Sequence, residues 1–223
     1  MGIAARMLLL TVGAYLLGSV PFGLIVGRAK GVDPRTAGSG NIGATNVGRL
    51  LGRKFFALVF ILDLLKGLLP MLAAAWILSQ HEHTRTTYLL WLLVGFAAIV
   101  GHMFSVFLGF KGGKGVATST GVILGLWPYY TLPALAAILV WIILFTVTRY
   151  VSVGSIIGAI TFPAAYAAVG AWCGWPLLSE QLPLLIFAIV MAGLIVYKHR
   201  GNIARLRAGT ESRIAPRAAR SQL

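Results

Sequence analysis

Acidic residues are scarce: five Asp and Glu stand against 19 Lys and Arg, a formal net charge of +14 in 223 residues. So few carboxylates exclude the clustered acids that a divalent-cation site needs. Cysteine occurs once, at Cys173, which excludes an intramolecular disulfide and any multi-cysteine metal centre. Charge of both signs is thin, at 11% of the chain, where soluble domains carry roughly 25%. With 58% apolar residues and a mean hydropathy of +0.87, that excludes both a disordered chain and an ordinary soluble domain. A nucleic-acid binder could carry the charge but not the hydropathy, so no nucleic-acid partner is expected. The composition is that of an all-α integral membrane protein, surrounded by membrane lipids.

Signatures of familiar chemistry are missing too. No Gly-x-Ser-x-Gly elbow occurs, so a hydrolase-type serine nucleophile is unsupported. None of the four histidines has an Asp five residues later, as the acid–base pair of thioester-using acyltransferases would require. His81-Glu-His83 has the look of a metal cluster but reads better as a solvated outer loop. Neither a metal nor a cofactor is expected.

A span needs about 20 mostly apolar residues to cross a hydrocarbon core of roughly 30 Å. Seven such windows lie near 7–27, 55–78, 87–108, 116–130, 131–148, 152–173 and 182–197, in one membrane domain covering 1–223. The fourth is short and opens in glycines, so a tilted, partly re-entrant segment is the alternative there. The first follows Arg6 but has no small-residue cleavage site, so it reads as a retained helix rather than a signal peptide. Seven spans put 16 of the 19 basic residues on one side, including Arg217 and Arg220, with Arg6 and Arg85 opposite and Lys66 inside a span. Basic loops mark the cytoplasm, so the N-terminus is expected outside and the C-terminus inside. The tail after about 205 reads as basic and frayed.

Three glycine-rich polar stretches fall on that basic side and are expected to converge there. The first is Gly38-Ser-Gly-Asn-Ile-Gly-Ala-Thr-Asn-Val-Gly-Arg49. Its Ser39, Asn41, Thr45 and Asn46 offer hydroxyl and amide groups, and Arg49 a planar fork suited to phosphate. The second runs from Gly101 to Thr118 and contains Lys111-Gly-Gly-Lys-Gly115 opening into a helix. Backbone N–H groups of Gly112 and Gly113, a helix N-terminus and Lys114 make this a phosphate cradle by physics. It is not a nucleotide P-loop, since Leu108 and Gly115 stand where that pattern needs Gly and Ser or Thr. The third, His199 to Glu211, places His199 and Asn202 three apart on one helical face. Within the second span, Asp63 and Lys66 are also three apart, and such a pair at membrane depth reads as support for the site.

With Gly18-Ser-Val-Pro-Phe-Gly23 and Asp63, Lys66 and Gly67, these motifs resemble, in order, the bacterial acyl-phosphate:glycerol-3-phosphate acyltransferase family. Ser105 replaces a Pro usual in the second motif and Ala204 a Lys usual in the third. The resemblance implies transfer of a fatty acyl group from acyl phosphate to glycerol 3-phosphate, giving lysophosphatidic acid and inorganic phosphate. It further implies a bacterial inner-membrane location and, as a partner, the soluble enzyme that makes acyl phosphate. By motif, Ser39, Arg49 and Lys114 bind substrate phosphate, helped by Gly112 and Gly113. Thr45, His199 and Asn202 orient the glycerol hydroxyls or the reacting carbonyl, and Glu211 holds the third motif. A transporter or channel for an anionic solute is the rival reading, weakened by the lack of internal repeats.

Overall fold

The computed structural model describes residues 2–214; Arg217 and Arg220 lie outside the described residues. The described chain is helical throughout: α1 (Ile3–Ser19), α2 (Phe22–Ala29), α3 (Ala44–Leu51), α4 (Arg53–Leu78), α5 (Arg85–Met103), a 3₁₀ turn (Val106–Leu108), α6 (Val116–Gly125), α7 (Thr131–Thr148), α8 (Val151–Trp172), α9 (Leu182–Lys198) and α10 (Arg200–Arg207). By length and composition five helical stretches can cross a membrane: Ile3–Ala29, Arg53–Leu78, Arg85–Leu108, Thr131–Thr148 and Val151–Trp172. A sixth is counted if α9 and α10, bent by 53°, form one span. These six match six of the seven expected windows.

The seventh window, 116–130, holds only the ten residues of α6, a length of about 15 Å. The reason lies in where the preceding loop sits. His102, in the last turn of α5, stands 3.6 Å from Asp63, ten residues inside α4. α5 therefore stops about 15 Å short of the first residue of α4, and α6 starts from that recessed level. Gly115 lies against Met103, Val122 against Gly95, and the Tyr129 ring 5.4 Å from that of Tyr88. Residues 115–129 thus run back along α5 from its last turn to its first.

The chain divides into two compact units, one of residues up to 131 with 176–187, the other of 132–175 with residues from 188 onward. In the first, helices meet through glycines where lipid offers no hydrophobic drive and close approach decides packing. Gly18 of α1 rests on the Ala98 carbonyl of α5, and Gly101 of α5 on the Tyr15 carbonyl of α1. Gly67 of α4 and Gly121 of α6 are paired in the same way, against the carbonyls of Thr118 and Leu64. α3 folds onto α4 through a core of Ala44, Val47 and Val59, flanked by Val26, Leu51 and Phe55. Pro21 separates α1 from α2, and the Val20 carbonyl beside the break accepts a hydrogen bond from Lys66 Nζ at 2.9 Å.

In the second unit, α7 and α8 form a pair: Gly154 abuts Trp141, whose Nε1 donates to Ser155 Oγ at 3.4 Å. Arg149, at φ 62°, turns the chain between them. Residues 208–214, after α10, are not frayed. The Ile214 N–H donates to the Arg149 carbonyl at 3.0 Å, and Arg213 Nε to the Tyr150 hydroxyl at 2.9 Å. Glu211 is buried against α8.

Candidate active site

In the first motif, two left-handed glycines, Gly38 and Gly40, carry the exposed Ser39 at the tip of a turn. The turn is held by Asn46, only 2% exposed in the first turns of α3. Its Nδ2 donates to the carbonyls of Pro34 (2.9 Å), Ala37 (3.0 Å) and Asn41 (2.9 Å), and its Oδ1 accepts the Ser39 N–H at 2.8 Å. The amide expected to face a ligand is therefore turned inward, and Asn46 organises the loop. Asn41 accepts from the Gly43 N–H at 2.9 Å, shaping the entry to α3. Thr45 and Arg49 are half-buried and four apart, so they share a face of α3. Upstream, Asp33 accepts from Arg35 Nη2 at 2.6 Å and from the Arg35 N–H at 3.0 Å. These bonds hold the Asp33 carboxyl well below the usual carboxylate range.

The second motif differs from expectation in its backbone. The Gly112 N–H donates to the Met103 carbonyl at 3.2 Å and that of Gly113 to the His102 carbonyl at 3.0 Å. Both groups close the end of α5, so the two glycines do not offer an anion their N–H groups. They are glycines because no side chain fits: a Cβ at Gly112 would strike the His102 carbonyl, and one at Gly113 the His102 ring. Lys114 is half-buried beside the first turn of α6, whose leading N–H groups have no intrahelical acceptor. Ser105, at the departure from the usual Pro, donates to the Ser19 carbonyl at 2.6 Å and pins the loop to α1. The Tyr15 hydroxyl adds a second pin, donating to the Phe104 carbonyl at 3.1 Å. Beneath the loop, Lys66 Nζ lies 2.7 Å from Asp63 Oδ1, both side chains buried.

In the third motif, His199 is buried at the junction of α9 and α10. Its Nδ1 lies 2.8 Å from the Ile195 carbonyl, which can only accept, so Nδ1 carries a proton. Asn202 Nδ2 donates to Glu211 Oε1 at 2.6 Å, Ser152 Oγ donates to the same oxygen at 2.8 Å, and Arg205 Nε to Oε2 at 2.8 Å. Burial works against ionisation of Glu211, but these three donors outweigh it and hold the carboxyl below its ordinary 4.5. Glu211 thus ties α10 to α8, with Asn202 in the tie. Sequence reasoning had no access to Ser152, 59 residues away, nor to the hub role of Asn46. Among the described residues no group of three His, Cys, Asp or Glu is placed to hold a metal ion.

A family model described as "Glycerol-3-phosphate acyltransferase" matches residues 8–209. A glycerol-3-phosphate acyltransferase of Geobacter sulfurreducens is 47% identical over 92% of this chain and 96% of that protein. One of Aquifex aeolicus is 44% identical over 93% of this chain and 99% of that protein. Among solved structures, a crystal structure of PlsY, an integral membrane glycerol 3-phosphate acyltransferase in its glycerol 3-phosphate form, superposes with a TM-score of 0.80. It is 43% identical and covers 94% of this chain and 96% of that one. A lysophosphatidic acid form of PlsY superposes at 0.77 with 42% identity, over the same shares of the two chains.

Proposed function

We propose a specific reaction for this chain, which belongs to the glycerol-3-phosphate acyltransferase family: transfer of a fatty acyl group from acyl phosphate to the sn-1 hydroxyl of glycerol 3-phosphate, giving lysophosphatidic acid and inorganic phosphate. The observation that carries the reading is the likeness to a solved relative with both a glycerol 3-phosphate and a lysophosphatidic acid form. Acyl phosphate is the donor that suits the residues present. It is a mixed anhydride with phosphate as leaving group, so the substrate hydroxyl can attack the carbonyl directly and no acyl-enzyme is needed. The carbon–oxygen bond to the glycerol forms as that to phosphate breaks. The departing phosphate takes the bonding pair and the hydroxyl proton.

The protein's part is positioning and charge. Ser39, Arg49 and Lys114 bind substrate phosphate, and cations there offset the repulsion between two anionic reactants. Thr45, on the Arg49 face of α3, orients the glycerol. His199 orients a substrate hydroxyl, while Asn202 and Glu211 fix the turn of chain that carries it. The basic side faces the cytoplasm of a bacterial inner membrane, where a soluble enzyme that makes acyl phosphate supplies the donor. This is the first acylation of phospholipid synthesis.

Protein purified in detergent and given acyl phosphate and glycerol 3-phosphate, without nucleotide or added metal, should release one inorganic phosphate for each lysophosphatidic acid formed. Product from acyl thioesters but not from acyl phosphate would overturn the donor assignment.

A further inference from the structure

The second-motif loop rests on a buried polar cluster that the reaction above leaves without a role. Asp63, Lys66 and His102 are each no more than 4% exposed. His102 Nδ1 stands 3.6 Å from Asp63 Oδ1, the same oxygen that lies 2.7 Å from Lys66 Nζ. The far edge of the imidazole meets Gly113, where an added Cβ would collide with Nε2 and come within 2.8 Å of Cε1. Gly113 also donates its N–H to the carbonyl of His102 itself. Ring and main chain of one residue therefore fix Gly113 from two directions, and the next residue is Lys114. Ionisable groups at membrane depth are costly to keep, and an apolar side chain could fill the same volume.

We propose that His102, oriented by Asp63, is a positioning residue for Lys114. The flat ring, packed with its Nδ1 3.6 Å from the Asp63 carboxylate, presents a second edge to Gly113 and so fixes the direction in which Lys114 leaves the loop. This is the supporting shell that a phosphate-binding side chain needs to stay within a fraction of an ångström of its productive place. The proposal rests on Lys114 binding a substrate phosphate.

The test is a double-variant cycle on detergent-purified protein, with initial rates measured against each substrate. Lys114→Ala should raise KM for one phosphate-bearing substrate. His102→Ala should raise that same KM about tenfold while lowering kcat less than about threefold. His102→Gln, whose amide reaches the place of Nε2, should recover most of the loss. In a Lys114→Ala background, His102→Ala should change KM less than about twofold, because both act on one contact. Should His102→Ala not fold, Gly113→Ala puts a methyl group against the ring and should raise the same KM, again only while Lys114 is present. Multiplying effects, or loss of folded protein with normal KM in what remains, would overturn the proposal, as would a Lys114→Ala protein with unchanged KM values. A wild-type protein inactive with acyl phosphate would sink the donor assignment alone. The coupling of His102 to Lys114 would then be read from glycerol 3-phosphate affinity by calorimetry, where an effect of Lys114→Ala independent of His102 counts against the proposal.

Discussion

At the scale of single residues, the site is held by side chains that use their polar groups inward. Asn46 spends its whole amide on the loop that carries Ser39. Asn46→Ala leaves three carbonyls and one N–H to find other partners. It should cost about 1–3 kcal/mol for buried groups that lose their bond, read as a lower melting temperature in detergent. Asn46→Asp keeps the acceptor for Ser39 but has no donor, so it should not restore stability. Glu211 gives a pH-dependent counterpart. Its carboxyl is lowered below the ordinary 4.5 by its three donors, so its contribution is complete above that value and is lost as the pH falls toward the folded-state value. Glu211→Gln should destabilise the protein at pH 7 by about 1.5–3 kcal/mol, the worth of a hydrogen bond to a charged group. It should also flatten the acid limb of the stability curve. Asp33 contributes a slope of the same sign in both proteins, so the difference between them isolates Glu211.

At the scale of elements, glycine does two opposite things along the same helices. Gly121 of α6 lies against the Leu64 carbonyl, with the Leu68 nitrogen 2.9 Å from where a Cβ would stand. Gly121→Ala must push α4 and α6 apart, an overpacking cost of about 1–3 kcal/mol. Gly13 of α1 has nothing within 4 Å, and Gly13→Ala should stabilise by about 0.5–1 kcal/mol through helix propensity. Heating each variant in detergent and following the monodisperse fraction should show the two shifts in opposite directions.

Much of this level was legible in the sequence. Hydropathy alone locates the long spans, and the Asp63–Lys66 pair follows from residue type and spacing, whereas the first window, read as one helix over 7–27, is broken at Pro21. The shortness of α6 was half legible, from its glycines and prolines, but its cause was not: the recess of the loop depends on His102 meeting Asp63 across two helices. For the same reason the Gly112 and Gly113 N–H groups read as an anion cradle. Local spacing shows that they can turn toward an anion, while the carbonyls of Met103 and His102 at the end of α5, brought back by the fold of the loop, are what claim them.

For the whole molecule the open quantity is the number of crossings, because it sets which face every loop occupies. Residues 115–129 return along α5 to the level of Tyr88, and seven passages are expected if that return carries the chain across. On that count Cys173 would emerge outside, at the end of α8, and Lys54 and Lys111 would stay with the basic side in the cytoplasm. A re-entrant segment would make six passages and put Cys173 on the same side as Lys111. The native cysteine is exposed and needs no engineering to report this. An impermeant maleimide applied to intact cells should label the wild-type protein and not Cys173→Ser. In the Cys173→Ser background, His81→Cys should label from outside, whereas Lys54→Cys and Lys111→Cys, all exposed positions, should label only after lysis. Protection of native Cys173 in intact cells, with labelling restored on lysis, would mean that the chain turns back within the bilayer after Gly115.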